Sequence, residues 1–212
     1  MDSTVELQMS NVEQKSDEWF KLRLGKVTAS RISDVIAEIK TGEAKARADY
    51  RVELICERLS GQPLEGYTNA HMERGIQLEP FARAWYEANK EFVKQVGFVQ
   101  HPTIEMSGAS PDGLVGEDGM IEIKCPKINT HITTMLDGRV PTKYIPQMQW
   151  QMACTGRQWN DFVSYCPEMP TDLQMFIKRL PRDDAYIAEL ERKVQEFLLD
   201  VSVTLERLEA LR

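Results

Sequence analysis

Residues 108–126 read "GASPDGLVGEDGMIEIKCP". The runs "GLVG" and "MIEIKC" have strand character and flank a turn at Glu117, Asp118 and Gly119. Successive strand side chains alternate faces. Glu122 and Lys124 therefore share one face, and Ile121, Ile123 and Cys125 share the other. A charge among such apolar neighbours costs free energy unless it is paired or holds a metal. Where Asp112 points depends on the turn. A two-residue turn of Asp118 and Gly119 would pair Glu117 with Met120 and set even positions against odd ones. A three-residue loop of Glu117, Asp118 and Gly119 pairs Gly116 with Met120, Leu114 with Glu122, and Asp112 with Lys124. That register is the one expected, with a glycine in the left-handed position. It brings Asp112, Glu122 and Lys124 onto one face.

Two carboxylates and one ammonium on a sheet face suit a hard divalent cation such as Mg²⁺, which takes oxygen ligands and commonly bridges carboxylates to phosphate. The lysine can orient a water or neutralise charge developing on a phosphate. The matching chemistry is two-metal hydrolysis of a phosphodiester, the second ion stabilising the leaving oxygen. The plainer alternative is a solvated strand face carrying a weak ion pair. Spacing alone does not separate the two.

The bulk of the chain sets bounds. Its 212 residues can bury a core without disulfide staples. Four cysteines, at 56, 125, 154 and 166, form no paired motif, and His71, His101 and His131 lie far apart. Reduced thiols are expected, and neither zinc nor an iron–sulfur cluster. No apolar run approaches the roughly 20 residues of a membrane span. The polar N-terminus is unlike a secretory signal, so a cytoplasmic protein is expected. The formal charge of −7 argues against a general nucleic-acid coat protein, but not against a nuclease with a local basic groove.

A single domain over 1–212 is expected, with 1–15 as a flexible N-terminal segment. Ser16 can cap a helix through "DEWFKLRL", stopped near Gly25. "TASRISDVIAEI" has helical spacing of Ile32, Val35, Ile36 and Ile39. A helix from Glu43 to Leu59 follows. Another covers "NAHMERGIQLEPFARAWYEANK", with Met72, Ile76, Phe81 and Trp85 as its apolar stripe and a kink or break at Pro80. Strands are expected in "EFVKQVGFVQ", "TIEMSGAS", "DFVSYC" and "LQMFIKRL". A helix spans roughly 142–155, and a last one 183–211. This order predicts an α/β fold: a central mixed sheet flanked by helices, with an N-terminal helical region.

"SPDGL" followed by "IEIKCP" resembles the PD-(D/E)xK nuclease signature. With "EWFKLRLGKVTAS", "ERGIQLEPFARAWYE" and "YIPQMQWQMACTG" in the same order, the chain more closely resembles the phage lambda exonuclease family, a group of YqaJ-like viral recombination nucleases. The resemblance implies a restriction-endonuclease-like core in which Asp112, Glu122 and the backbone carbonyl of Ile123 bind Mg²⁺, two ions in all, with Mn²⁺ substituting. It implies that Lys124 positions the attacking water, that Glu79 is an acid near the metals, and that Gln147, with Tyr144 nearby, forms part of the site wall. Arg23 would hold a 5′-terminal phosphate, helped by Ser30 and Ser110. Lys45, Arg47 and Arg51 could grip the DNA backbone or form a solvated helix face; Arg139 and Lys143 are similar.

The function expected from the resemblance is a Mg²⁺-dependent 5′→3′ exonuclease. It would degrade the 5′-phosphorylated strand of linear double-stranded DNA to mononucleotides and leave a 3′ single strand. A homotrimer ring and a phage single-strand annealing partner are also implied, with no membrane partner. The alternatives are a PD-(D/E)xK endonuclease, a RecB-like nuclease module, and a non-catalytic DNA-binding subunit. The third is disfavoured because Asp112, Glu122 and Lys124 are all present.

Overall fold

The computed structural model describes residues 10, 12–64 and 70–212. Its centre is a five-stranded mixed sheet in the order β2 (Val93–Lys94), β5 (Gly113–Val115), β6 (Gly119–Lys124), β7 (Trp159–Tyr165) and β8 (Met175–Pro181). β6 and β7 run parallel, and the other pairs are antiparallel. A parallel pair needs a crossover. Helices α5 (Ile128–Asp137) and α6 (Ile145–Thr155) supply it. A separate three-stranded sheet, β1 (Val27–Thr28), β4 (Ser107–Ala109) and β3 (Val99–Gln100), accompanies the first. The mixed α/β architecture is as expected, but the strands divide between two sheets.

The hairpin register differs from the expected one by two residues. Gly113 pairs with Ile121, Leu114 with Met120 and Val115 with Gly119. The loop is therefore Gly116, Glu117 and Asp118, and Gly116, at φ +50°, takes the left-handed position. Gly119 lies instead against the Trp159 ring, where a Cβ would stand 2.0 Å from a ring carbon. A shift of two preserves parity, so the faces are as expected. Ile121 and Ile123 pack with Val115, Val163, Ala82 and Tyr86. Leu114 and Met120 join the larger core with Trp150, Met152, Leu190 and Phe197.

Helix α1 (Asp17–Arg23) is capped by Ser16, whose hydroxyl accepts from the Trp19 N–H. The second expected helix is mostly absent. Val27 and Thr28 pair with Ser107 and Gly108, a 3-10 turn covers Ala29–Arg31, and α2 is only Ile32–Val35. Strand pairing overrides the helical spacing there, and Ile39 is 57% exposed. α3 (Lys45–Ser60) ends at Gly61 in the left-handed conformation. α4 (Ala70–Asn89) runs through Pro80 without the expected break, although the ring denies the Ile76 carbonyl its N–H partner. Two members of the apolar stripe expected for α4 face outward, Ile76 and Phe81 at 48% and 63% exposed, while Trp85 is half-buried. Ala82 and Tyr86 are the residues that meet the sheet, because a small side chain and a flat ring allow close approach. The side chain of Met72 lies outside the described residues. α5 had no counterpart in the sequence reading. α7 (Asp184–Glu209) is capped by Asp183, which accepts from the Tyr186 N–H.

Of the segment expected to be flexible, 1–9 and residue 11 lie outside the described residues. The rest is docked. Ser10 exchanges backbone hydrogen bonds with Gly97 and Phe98, and the Gln14 amide donates to the carbonyls of Val96 and Pro111, both at 2.8 Å. Among the described residues no helix is long and apolar enough to cross a membrane.

Candidate active site

The β5 ladder stops at Ile121 while β6 runs on to Lys124, and beyond the ladder the Asp112 side chain takes over as the partner. Its Oδ2 accepts from the Ile123 N–H at 2.6 Å. Glu122 lies on the even face of β6, beneath α6. Its Oε1 accepts from Gln147 Nε2 and its Oε2 from Gln151 Nε2, both at 2.5 Å. The two glutamines are four apart, so one helix face presents both amides to one carboxylate. Lys124, two residues along the strand, pairs with Glu122 Oε1. Its Nζ lies 5.1 Å from the centroid of the Tyr144 ring, which stacks on Phe162.

The charges here are strongly coupled. Burial raises the Asp112 pKa, and the neighbouring Glu122 and Glu79 carboxylates raise it further. Burial opposes the charge on Lys124, but Glu122 and Asp112 outweigh it and hold the ammonium protonated. Lys124 is therefore suited to donating hydrogen bonds and stabilising negative charge rather than accepting a proton.

Glu79 projects from α4 and is held by two cations. Lys15 Nζ lies 3.0 Å from its Oε2, and Arg83, one turn on, pairs with its Oε1. Lys15 is the single non-glycine residue with positive φ, at 72°, among those described. Two residues before Asp112 in the chain, Ser110 Oγ accepts from Arg23 Nη1 and Trp19 Nε1, at 3.1 and 3.0 Å. The Arg23 guanidinium lies over the Trp19 ring at 4.0 Å. Burial draws its pKa down to about 10, which leaves it charged at neutral pH.

Among the described residues, no three His, Cys, Asp or Glu side chains stand together at metal-ligand spacing. The donor set on offer is the Asp112 and Glu122 carboxylates with the backbone carbonyl of Ile123, the residue after Glu122. That set fits Mg²⁺, which takes one or two carboxylates and retains several waters. Two mutually repelling buried carboxylates are also an arrangement that a cation relieves.

The YqaJ-like viral recombinase domain matches residues 18–158. The chain belongs to this family. Its fold is similar to that of an alkaline exonuclease, LHK-Exo, from Laribacter hongkongensis, with 52% sequence identity and a TM-score of 0.86 over 92% of this chain and 97% of that one. A structure of LHK-Exo in complex with dAMP has the same identity and coverage and a TM-score of 0.87. A phage-related exonuclease from Haemophilus somnus 129PT shares the fold at 16% identity and a TM-score of 0.67, covering 87% of this chain and 95% of that one. No curated protein matches the chain.

Within this YqaJ-like domain the expected residues fall into separate groups. Asp112, Glu122, Lys124, Gln147 and Tyr144 come together, with Glu79 close enough to act on Asp112. Arg23 and Ser110 meet directly. Ser30 is exposed, and its hydroxyl lies 3.4 Å from that of Thr28. The α3 cations are engaged elsewhere: Lys45 pairs with Asp49, Arg47 with Glu43 and Asp200, and Arg51 with Glu43. All four cysteines are free thiols. Burial, aided by Glu79, pushes the Cys125 thiol beside Lys124 up to about 12, so it is chemically quiet.

Three residues of the site went unassigned in the sequence reading. Gln151 is one, although its i+4 spacing from Gln147 was visible. Asn160 is another; its Nδ2 donates to Gln151 Oε1 at 2.8 Å, which fixes which end of that amide faces Glu122. Lys15 is the third, and its long-range pairing with Glu79 left no local signal.

Proposed function

We propose that this protein is a Mg²⁺-dependent 5′→3′ exonuclease that degrades the 5′-phosphorylated strand of linear duplex DNA. The observation that carries the reading is the convergence of Asp112, Glu122 and Lys124 at the end of β6, flanked by the Arg23–Ser110 pair. The 52% identity to an alkaline exonuclease over nearly the whole chain supports it.

Asp112 and Glu122, with the Ile123 carbonyl, would hold the metal. When bound, it would polarise a phosphate oxygen and make water a stronger nucleophile at neutral pH. The amides of Gln147 and Gln151 fix the Glu122 carboxylate in one orientation. Lys124, anchored by Glu122 and the Tyr144 ring, directs its protons toward the attacking water and the phosphate charge. Arg23 offers a two-pronged donor to a terminal phosphate, with the Ser110 hydroxyl beside it. A strand held by its 5′ end in this way is cut at a fixed distance from that end, which is exonucleolytic action. Family membership supports two further parts of the proposal: a homotrimer ring, and delivery of the exposed 3′ strand to a single-strand annealing protein. It also supports action in the cytoplasm of a bacterial host.

The test uses 5′-phosphorylated linear duplex, 5′-hydroxyl linear duplex and a closed circle, each with Mg²⁺ and with EDTA. Mononucleotide release from the phosphorylated ends, slower release from hydroxyl ends, an intact circle and silence in EDTA are expected. A cut circle would replace the reading with an endonuclease. Full activity of Lys124→Ala would remove the catalytic assignment.

A further inference from the structure

The residues that grip the DNA backbone can be chosen from where charge is left unbalanced. A cavity of about 520 Å³ opens beside the carboxylates, lined by Gly75 and Glu79 of α4 and by Lys124, Lys127, Lys143 and Tyr144. Three lysines thus face one carboxylate in a chain of net charge −7. Glu79 is engaged by Lys15 and Arg83, and Lys124 by Glu122. Among the described residues Lys127 and Lys143 make no ion pair, in contrast to Lys45, Arg47 and Arg51. The Lys143 ammonium lies 4.7 Å from the Tyr144 ring centroid, and Lys124 lies 5.1 Å from the same centroid. The ring, stacked on Phe162 at 5.5 Å, is a fixed platform for both. On the α4 wall, a Cβ at Gly75 would meet nothing within 4 Å, so the cavity is open on that side.

We propose that this cavity seats backbone phosphates of the strand on the 3′ side of the scissile bond, and that Lys127 and Lys143 hold them. The inference rests on the reading of the site as a DNA-hydrolysing centre. Neither Arg23 nor Ser110 lines the cavity, which is built instead from Ile123 through Lys127 and the wall opposite. A strand with its 5′ end at Arg23 and its scissile phosphate at the carboxylates leaves past Lys124 into this space. The ammonium groups are point charges without directional demand, which suits successive phosphates sliding through whatever the base.

The experiment is equilibrium binding of the full-length protein to 5′-phosphorylated duplex DNA in EDTA across a KCl series. Wild type, Lys127→Gln, Lys143→Gln, the double variant and the Lys→Arg pair are compared. Each lost phosphate contact is expected to flatten the slope of log K against log[KCl] by about 0.9, the double variant by about twice that, and the arginine pair to restore it. Circular dichroism of each variant checks that these surface substitutions leave the fold intact. An unchanged slope in the double variant overturns the proposal. The two readings fail differently: wild type that degrades DNA in Mg²⁺ while the variants keep its slope removes only this one. Wild type that binds DNA in EDTA with the expected slopes but never cleaves it removes only the exonuclease.

Discussion

Gln151 Nε2 donates to Glu122 Oε2 at 2.5 Å, and both side chains are buried. The glutamine is itself held by Asn160, so a relay of two amides reaches from β7 through α6 to the carboxylate. Gln151→Leu keeps the volume and removes the donor. An unsatisfied buried acceptor costs about 1–3 kcal/mol, so a drop in thermal stability of that size is expected, together with weaker Mg²⁺ binding by calorimetry. Gln151→Leu with unaltered Mg²⁺ affinity would show that the relay is only structural.

Asp112 is held under strain by its own neighbours. Because burial, Glu122 and Glu79 raise its folded pKa, the folded state binds this proton more tightly than the unfolded one. The stabilisation is complete below the unfolded value of about 3.9 and is lost as pH rises through the raised folded value. Asp112→Asn retains an acceptor for the Ile123 N–H and cannot ionise. In EDTA at neutral pH it should therefore melt higher than wild type, with a flatter stability profile above the unfolded value, while cleaving nothing. Melting curves across pH check this, and a lower melting point for the variant would contradict it.

Added Mg²⁺ should reverse that strain. At a hundredfold excess over its Kd a ligand specific to the folded state contributes about 2.7 kcal/mol. A rise in melting temperature with Mg²⁺ in wild type, absent in Asp112→Asn, is the expected pattern in a differential scanning experiment.

Lys124→Ala removes the ammonium that, in the proposed reaction, acts on the reacting phosphate. A loss of about 10²–10³-fold in kcat is expected, the range for deleting one preorganised donor. Single-turnover kinetics at saturating DNA separate this from weakened binding.

Arg47 joins α3 to α7 through Asp200 and lies 5.2 Å from the Phe197 ring centroid. Arg47→Ala should lower stability by about 1 kcal/mol, with Asp200→Ala adding little on top. Strictly additive losses in the double variant would show that the pair does not act together.

The parity of β6 was legible because alternation is a local property, and so was the grouping of Asp112, Glu122 and Lys124. The register was not. Gly116 and Gly119 both border the turn, and the choice between them is made by the Trp159 ring, forty residues away in sequence. The outward stripe of α4 misled for a similar reason: Ile76 and Phe81 have helical spacing, but the sheet selects Ala82 and Tyr86 by fit. The pairing of Val27 and Thr28 with β4 likewise outweighed a good helical pattern. Arg23 and Ser110 could be named from motifs, while Lys15 and Asn160 act through contacts that no spacing records.

The self-neutralised face of α3 has a bearing on how the molecule meets nucleic acid. A helix dense in lysine and arginine would ordinarily act as a landing strip for any passing duplex. Here each of Lys45, Arg47 and Arg51 already has an acid at hand, so each would have to give up that partner to contact an approaching polyanion. Under the proposed function, an acidic body would disfavour side-on approach and leave capture to the mouth of the cavity beside Lys124. A continuous helix offers that mouth no slack strand to thread, whereas a frayed terminus does. The proposed preference for ends would in this sense be written as much into the surface that offers DNA little as into the residues proposed to take hold of it.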